Sequence, residues 1–424
     1  MLKYFDYAST TPVDERVLSK MLPYFNKYFG NSGSNHKLGE YSKLSEENAR
    51  QQVAQLINAR PSEIIFTSGA TEANNLGIRG CLGFYTDKQH WISVQSLHKS
   101  IRDIDRNLTN NTVLKVNSAG LVDILELEKA ITENTLLVAV SIVCSETGVM
   151  QNIKEISQLC KAKGIFLHCD LAQGFGKIDI DVEELGIDLA SISGHKIYGP
   201  KGIGALYVRG RNPRIKLRPL IYGGGQERGI RNGTLPTSLI VGLGTAAELA
   251  MQEMNHNFQH IRTLAQFFIE QLISRIDKVY INGGIKQVIT NDEIINIDKN
   301  IVFFNKNNNQ KVLLFMHYPG IVNISFAGIE GEALMGELDN ICVSSGSACT
   351  SSSLESSYVL KALGVGDDLA HTSLRFSFGK DTLKSDVVFL LDKLEAAVKR
   401  LREISPLWDM IQQGIDLNSI KWKD

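Results

Sequence analysis

The sequence predicts an α/β protein with a large, mainly parallel central sheet domain and a smaller α/β domain. Helical and strand patterns alternate through the first two-thirds of the chain, which is typical of a sheet covered by helices. The chain has 424 residues, whereas a single hydrophobic core stops growing at roughly 250–300 residues. The length therefore favours two domains or one elaborated domain.

The predicted elements of the first domain follow one another in a regular order. Apolar residues recur at helical spacing over 42–58, which predicts an amphipathic helix. Short apolar runs then predict buried strands, whose carboxyl ends gather ligands in sheets of this kind. These runs cover residues 63–66, 136–143, 164–169, 187–192 and 204–208.

The remainder of the chain predicts a bridge and a second α/β unit. Long helical patterns over 241–272 indicate a helix between the domains. The tract 281–310 is rich in asparagine and isoleucine, and we expect an exposed hairpin or loop insertion there rather than core. Beyond it, the pattern predicts strands at 321–326 and 374–378 and helices at 332–338 and 383–404.

Composition argues against several classes of protein. A formal net charge of −1 argues against a dedicated nucleic-acid surface or a polybasic membrane anchor. The six cysteines are scattered and form no CxxC pair, so they predict neither a disulfide scaffold nor a zinc site. No apolar run approaches the roughly 20 residues that a bilayer requires. We therefore expect a soluble, reduced, cytoplasmic protein.

Lys196 lies in the most informative segment of the sequence, SGHKIYGPKG at 193–202. This Gly/Pro-rich turn follows a predicted strand and would hold the lysine at a sheet edge. A buried lysine in such a place can form a Schiff base with an aldehyde cofactor. An isolated lysine is more commonly a solvated surface residue, so the neighbouring motifs decide between the two interpretations.

Asp170 directly follows the predicted strand 164–169. A carboxylate at the end of an apolar strand is costly unless it meets a cation. Pyridoxal phosphate (PLP) uses such a carboxylate at its ring nitrogen, which keeps the ring an electron sink. The alternative role for Asp170 is a helix N-cap.

The segment TSGATEANN at 67–75 also follows a predicted strand and enters a helix. Its small residues offer backbone N–H groups and a hydroxyl to a phosphate, although many helices begin in the same way. By contrast, GGGQER at 223–228 matches neither a Walker A loop nor GxGxxG. It therefore predicts no nucleotide site.

Cys349 lies in the segment VSSGSACTSSS at 343–353. Composition alone favours a flexible linker with an incidental cysteine. A cysteine on a mobile polar loop is nevertheless accessible, as a nucleophilic thiolate must be. Arg375 is a charge within the predicted strand 374–378, and it either extends to solvent or binds a substrate carboxylate.

Together these segments resemble the cysteine desulfurases of the NifS/IscS type, in the class V aminotransferase group of fold-type I PLP enzymes. The similarity runs from DYASTTP at 6–12 through the cysteine loop to Arg375, and it includes RGIRNGT at 228–234. With this resemblance, we expect a large PLP-binding domain at 16–258. Residues 1–15 and 259–424 would form the small domain that carries the cysteine loop.

The resemblance implies a role for each candidate residue. Lys196 would hold PLP as a Schiff base, Asp170 would pair with the ring nitrogen, and Gln173 would hydrogen-bond the phenolic oxygen. His98 would stack on the ring, whereas without the resemblance it would be interpreted as a surface histidine. The residues placed around the phosphate are Ala70, Thr71, Ser193, His195 and, from the second subunit of a homodimer, Thr234.

The resemblance also implies the reaction. Arg375 and Asn31 would bind the carboxylate of L-cysteine, and Lys196 and His98 would transfer protons. Cys349 would receive the sulfur as a persulfide, leave alanine, and deliver the sulfur to an acceptor protein. That acceptor would serve iron–sulfur cluster assembly, thio-cofactor synthesis or tRNA sulfuration. The segment 407–424 is either a docking element for it or packs on its own domain.

Two positions depart from the family pattern. Ser145 stands where the family usually has an asparagine beside the cofactor oxygen, and the shorter serine would lose that contact or make it through water. Gln226 stands where close relatives often have histidine. The alternative functions are a selenocysteine lyase, a class V aminotransferase, or a weakly active sulfur-assembly scaffold.

Overall fold

The computed structural model describes residues 2–105, 110–289, 301–305, 310–345 and 356–415. Cys349, the end of the C-terminal segment (416–424) and parts of the tract 281–310 lie outside these ranges. The helices are α1 Glu15–Met21, α2 Pro23–Asn26, α3 Lys37–Gln55, α4 Ala70–Phe84, α5 Lys99–Asp105, α6 Ile124–Ala130, α7 Ile153–Ala162, α8 Thr237–Arg275, α9 Gly331–Glu337, α10 Tyr358–Ala362, α11 Asp367–His371, α12 Lys384–Glu403 and α13 Pro406–Gln412. The strands are β1 Lys3–Tyr4, β2 Ile64–Thr67, β3 His90–Val94, β4 Asn111–Leu114, β5 Thr135–Ser141, β6 Phe166–Asp170, β7 Leu189–Ser193, β8 Gly204–Val208, β9 Val279–Asn282, β10 Ile285–Ile289, β11 Ile301–Asn305, β12 Gln310–Phe315, β13 Ile321–Phe326, β14 Ile341–Cys342, β15 Ser344–Ser345 and β16 Ser373–Ser377.

A seven-stranded sheet forms the centre of the larger unit, with the strand order β2-β8-β7-β6-β5-β3-β4. The strands from β7 to β4 pair in parallel, whereas β8 is antiparallel to both of its neighbours. The prediction of a mainly parallel sheet is confirmed. Strands β3 and β4 were not predicted, because their polar residues interrupt the apolar pattern.

The register of this sheet brings the candidate residues to one edge. Ser141 at the end of β5 is paired with Asp170 at the end of β6, and Asp170 is paired with Ser191 in β7. Because these strands are parallel, their carboxyl ends open at the same side of the sheet. Lys196 follows β7 directly and therefore reaches the same side.

The smaller unit contains a four-stranded sheet with the order β15-β16-β13-β9. The N-terminal segment joins this unit, because β1 pairs in parallel with β14 and Asp6 forms a bridge with Ser377. The chain then runs from Asp6 towards Lys196. In this way residues from the beginning of the sequence reach the candidate site.

Two hydrophobic clusters form the interior. The larger one is centred on the seven-stranded sheet and includes Trp91 and Phe175. The smaller one includes Phe268 and Phe376 and receives side chains from α8, α12, β13 and β16. Helix α8 contributes its first half to the larger cluster and its second half to the smaller one. The exact limits of the two domains remain a prediction from the sequence.

The tract 281–310 differs from the prediction of an exposed insertion. Its described residues form strands in a three-stranded antiparallel sheet with the order β10-β12-β11. The hairpin itself is present, but Ile301 is fully buried and belongs to the smaller hydrophobic cluster. The prediction relied on the asparagine content of the tract, but Ile301 is buried, and so is Asn282, whose amide donates a hydrogen bond to Oδ1 of Asn323.

Within the described residues, no helix combines the length and apolar character that crossing a bilayer requires.

Candidate active site

Lys196 ends a short 3₁₀ turn, Gly194–Lys196, that continues directly from β7. Its Nζ donates hydrogen bonds to the carbonyl oxygens of Ala8, at 2.6 Å, and Ser9, at 2.7 Å. Tyr198 follows with φ of 64°, a left-handed conformation that turns the chain away from the sheet. The predicted position of the lysine at a sheet edge is confirmed, and the amine is held by the N-terminal segment rather than solvated.

A cavity of about 440 Å³ opens at the carboxyl ends of β5, β6 and β7. Most of the residues predicted for the site line it: Ala70, Thr71, His98, Ser145, Asp170, Gln173, Ser193, His195 and Lys196. The lining also includes polar residues that the sequence did not single out, among them Ser68, Ser96, Ser141 and Lys201. The structure therefore brings together motifs that are distributed over more than a hundred positions of the chain.

Asp170 is held by two donors. The Nδ2 of Asn74 lies 3.2 Å from Oδ2, and the backbone N–H of Ala172 lies 2.9 Å from Oδ1. Asn74 is in turn oriented by His168, whose Nε2 lies 2.8 Å from Oδ1 of Asn74. The carboxyl group lines the cavity, and Oδ1 accepts a hydrogen bond from the turn that follows β6. Residues 172–177 form turns rather than a helix, so the alternative role of helix N-cap is wrong, and the role at a ring nitrogen stays a prediction. Sequence analysis missed Asn74, although it lies within the TSGATEANN motif.

A second part of the cavity lining is suited to an anion. Helix α4 begins at Ala70, after Gly69 in an extended conformation with φ of 153° that only glycine adopts readily. Its first backbone N–H groups are free to bind a phosphate at the helix N-terminus. Ser193, His195 and Lys201 line the same cavity, and the residue paired with Ser193, Gly204, lies against Gly69. Burial, followed by the charges of nearby lysines, lowers the pKa of His195 to about 4.

His98 precedes α5 and faces the cavity. Its Nδ1 accepts a hydrogen bond from the backbone N–H of Ser100 at 3.1 Å, which places the proton of the neutral ring on Nε2. Burial lowers the pKa of His98, and the charge of Asp170 acts in the opposite direction. The ring is therefore predominantly neutral at pH 7.

Arg375 lies in β16 beside this cavity. Its Nη1 donates to the carbonyl oxygen of Ser145 at 2.8 Å, and its Nη2 donates to Oδ1 of Asp6 at 2.7 Å and to Oγ of Ser9 at 2.6 Å. The Nε atom is buried and has no hydrogen-bond partner among the described residues. An arginine held in this way does not extend to solvent, so the first predicted alternative is wrong, whereas binding of a substrate carboxylate stays a prediction.

Two further candidates lie away from the cavity lining. The side chain of Asn31 is exposed, and its Oδ1 accepts the backbone N–H of Gly33 at 2.9 Å. Thr234 is exposed as well. Their roles remain predictions, and that of Thr234 involves a second subunit. The position of Cys349 lies outside the described residues.

The arrangement indicates which ligand the cavity could hold. A lysine, a carboxylate, an imidazole and an amide line it, together with the N-terminus of α4. This set of donors fits an aromatic aldehyde that carries a phosphate. Within the part of the chain that the structure describes, no group of histidine, cysteine, aspartate and glutamate residues could hold a metal ion.

Comparisons with known proteins agree with this geometry. Residues 3–305 match the family model described as aminotransferase class-V. The chain is 50% identical to the cysteine desulfurase IscS of Rickettsia africae (strain ESF-5) over 425 aligned positions, which cover 99% of this chain and 96% of the relative. The corresponding protein of Rickettsia massiliae (strain Mtu5) is also 50% identical, with the same coverage.

Solved structures show the same relationship. A NifS-like protein has a TM-score of 0.81 and 31% identity, with 95% of this chain and 100% of that chain covered. A protein described as SspA in complex with cysteine has a TM-score of 0.72 and 34% identity, with 90% of this chain and 100% of that chain covered. The chain belongs to the class V aminotransferase family, within its group of IscS/NifS-type cysteine desulfurases.

Proposed function

We propose that this protein is a PLP-dependent cysteine desulfurase that converts L-cysteine to L-alanine and carries the released sulfur on Cys349 as a persulfide. The observation that carries the proposal is the convergence of Lys196 and Asp170 on one cavity, with Arg375 at its border. The relatedness to IscS proteins over nearly the whole chain supports the same activity.

The residues of the cavity fit PLP. Lys196 would hold its aldehyde carbon, Asp170 its ring nitrogen, Gln173 its phenolic oxygen, and His98 its ring face. The phosphate would be bound by the N-terminus of α4 together with Ser193 and His195. When bound, PLP supplies an electron sink for the bonds of the substrate α-carbon. Ser145 also lines the cavity, and its side chain is the shorter substitute for the family's asparagine.

Arg375 would bind the carboxylate of L-cysteine. Its guanidinium is already oriented by Asp6 and by the carbonyl oxygen of Ser145, so little side-chain entropy is lost when the substrate arrives. Nη1 carries a second proton besides the one that it donates to Ser145. SspA, a related protein of known structure, was solved with cysteine, which supports cysteine as the substrate.

The described flanks of the cysteine loop support a role for Cys349. On one side, Ser344 in β15 is paired with Arg375 in β16. On the other side, the hydroxyl of Ser357 is hydrogen-bonded to the carboxyl group of Glu146, the residue next to Ser145. Both flanks are therefore attached at the border of the cavity, and Cys349 lies between them in the sequence.

We also propose that the protein acts as a homodimer in the cytoplasm and passes its sulfur to an acceptor protein. Thr234 is exposed and would complete the phosphate site of the second subunit. Apolar side chains are exposed nearby at Leu220, Ile221 and Tyr222. Asn232 links the two segments through a 2.8 Å hydrogen bond to the carbonyl oxygen of Ile221. A contiguous apolar surface of this kind favours a subunit interface.

The proposal is tested by incubating the PLP-loaded protein with L-cysteine and a thiol reductant and measuring alanine and sulfide. We expect the two products in equal amounts, and an absence of alanine would contradict the proposal. Cys349→Ser should abolish sulfide release and leave the cofactor absorption intact, whereas the control Cys342→Ser should behave like the wild type. Lys196→Ala should lose the absorption of the lysine-bound cofactor. Parallel assays with selenocysteine and with amino-group acceptors distinguish the alternative functions.

A further inference from the structure

Lys177 is a lysine beside the candidate site that none of the roles described above uses. Its side chain is half-buried, and its Nζ lies 5.9 Å from the centre of the Tyr318 ring. Burial, followed by the charges of Lys196 and Arg375, lowers the pKa of Lys177 to about 7. Because both of those charges are positive, a protonated amine at this position lowers the stability of the folded protein. The hydrogen bonds of the amine suggest a function that explains its position.

The contacts of Lys177 determine the orientation of Gln173. Its Nζ donates to Oε1 of Gln173 at 2.7 Å. The Nε2 of the same amide donates to the carbonyl oxygen of Ala8, also at 2.7 Å. The amide oxygen must face the amine of Lys177, and the amide nitrogen must face the carbonyl oxygen of Ala8. These two contacts exclude the orientation in which the oxygen and nitrogen of the amide are exchanged.

This orientation matters because Gln173 lines the cavity. Its Nε2 carries two protons, and the bond to Ala8 uses one of them. The second proton is available to an oxygen of a bound cofactor. In the opposite orientation, the amide oxygen would face that cofactor oxygen, and two acceptors would repel each other.

We propose that Lys177 is a positioning residue: it holds the amide of Gln173 so that an N–H group, rather than the carbonyl oxygen, faces the cofactor, and it thereby tunes the cofactor bound to Lys196. The inference rests on the proposed function, because the effect is visible only when PLP is bound.

The direction of the effect follows from electrostatics. An N–H donor from Gln173 stabilises negative charge on the phenolic oxygen of the cofactor. This hydrogen bond favours the deprotonated form of the lysine-bound cofactor. Removal of Lys177 therefore raises the pH at which the bound cofactor loses its proton, which is the midpoint of a visible absorption titration.

The test compares four PLP-loaded proteins by such titrations: wild type, Lys177→Met, Gln173→Ala and the double variant. We expect Lys177→Met to raise the midpoint by about one pH unit, a tenfold change in proton affinity. In the Gln173→Ala background, the same substitution should shift the midpoint by less than about 0.3 unit, because Lys177 acts through the amide. Lys154→Met removes a surface lysine that pairs with Glu184 and serves as the matched control.

Two results would overturn the role of Lys177: an unchanged midpoint in Lys177→Met, or equal shifts in both backgrounds. If Lys177→Met does not fold, Lys177→Ala is titrated in its place, with the same expected shift. A wild-type protein that shows no absorption from lysine-bound PLP overturns the proposed function together with this inference. If the wild type shows the absorption of lysine-bound PLP but the Lys177 variants have the same titration midpoint as the wild type, this inference alone is overturned.

Discussion

The guanidinium of Arg375 lies 2.7 Å from the carboxylate of Asp6, although the two residues are 369 positions apart in the chain. The parallel pairing of β1 with β14 brings Asp6 to the small sheet, next to β16. The ion pair and the bond to the carbonyl oxygen of Ser145 hold Arg375 in one orientation. The guanidinium that we propose as the binding group for the substrate carboxylate is therefore already positioned at the border of the cavity.

Replacement of Arg375 by lysine is expected to raise the KM for L-cysteine about tenfold and to change kcat less. Lysine retains the charge but cannot make several bonds in fixed directions, and one charge-assisted hydrogen bond contributes about 1.5–3 kcal/mol. Initial rates of alanine formation measure both constants. The matched control is Arg275→Lys in α8, at a surface ion pair with Asp392. An unchanged KM would argue against substrate binding by Arg375.

Replacement of Asp170 by asparagine is expected to lower turnover roughly a hundredfold, the usual cost of removing one preorganised electrostatic partner. Cofactor binding should persist, because Lys196 and the phosphate end of the cavity are intact. Single-turnover alanine formation and the cofactor absorption are measured together. Asp123→Asn, at the N-cap of α6, is the control. Turnover within about threefold of the wild type would exclude the role of Asp170 at the ring nitrogen.

Glu146 predicts a specific dependence of stability on pH. Burial raises the pKa of Glu146 to about 7, although the hydroxyl of Ser357 and the charge of Arg375 act in the opposite direction. A carboxyl group with a raised pKa in the folded state binds its proton more tightly there than in the unfolded chain. Its contribution to the free energy of unfolding is therefore largest below about pH 4.5 and falls as the pH rises to about 7.

The difference in stability between Glu146→Gln and the wild type measures this effect. Between about pH 4.5 and pH 7, the glutamine variant should become more stable relative to the wild type, by about 3 kcal/mol. Above about pH 7, the difference between the two proteins should stay constant. Urea unfolding followed by circular dichroism gives the free energies at each pH. A difference that is independent of pH would show that Glu146 does not titrate in this range.

The buried ion pair between Arg50 and Glu227 predicts a large effect on stability. Nη2 of Arg50 lies 2.8 Å from Oε1 of Glu227, and Oε2 of Glu227 also accepts the backbone N–H of Phe66 at 2.8 Å. Glu227→Gln leaves the buried guanidinium with Glu47 as an ion-pair partner, a residue whose side chain is exposed, and we expect a loss of about 3 kcal/mol. Because Glu227 holds the segment that leads to Thr234, we expect the homodimer that we propose to be weaker in this variant as well.

Urea unfolding at equal protein concentration measures the loss of stability, and sedimentation measures the dimer. The control is Glu126→Gln, which removes an exposed ion pair with Lys129 and should cost less than about 1 kcal/mol. Equal stabilities of the two variants would contradict the assignment of a strong buried pair.

The central sheet and the lysine turn could be predicted because they depend on local patterns. An apolar run followed by small and polar residues predicts a strand that ends at a site, and this holds for β6 with Asp170 and for β7 with Lys196. The motifs around these residues also carried the family resemblance. Strand β3 was missed and the tract around Ile301 was misjudged, because burial there depends on partners distant in the sequence.

By itself, the sequence determined the fold class, the position of Lys196 at the sheet edge and the family, since each was inferred from motifs and patterns that are local in the chain. The tertiary structure decided which side chains surround them. Asp6 reaches Arg375 through the pairing of β1 with β14, and Asn74 reaches Asp170 because α4 packs on the sheet. The physical reason is that a hydrogen bond needs two atoms within about 3 Å of each other. Only the order of the strands and the packing of the helices bring such distant atoms together.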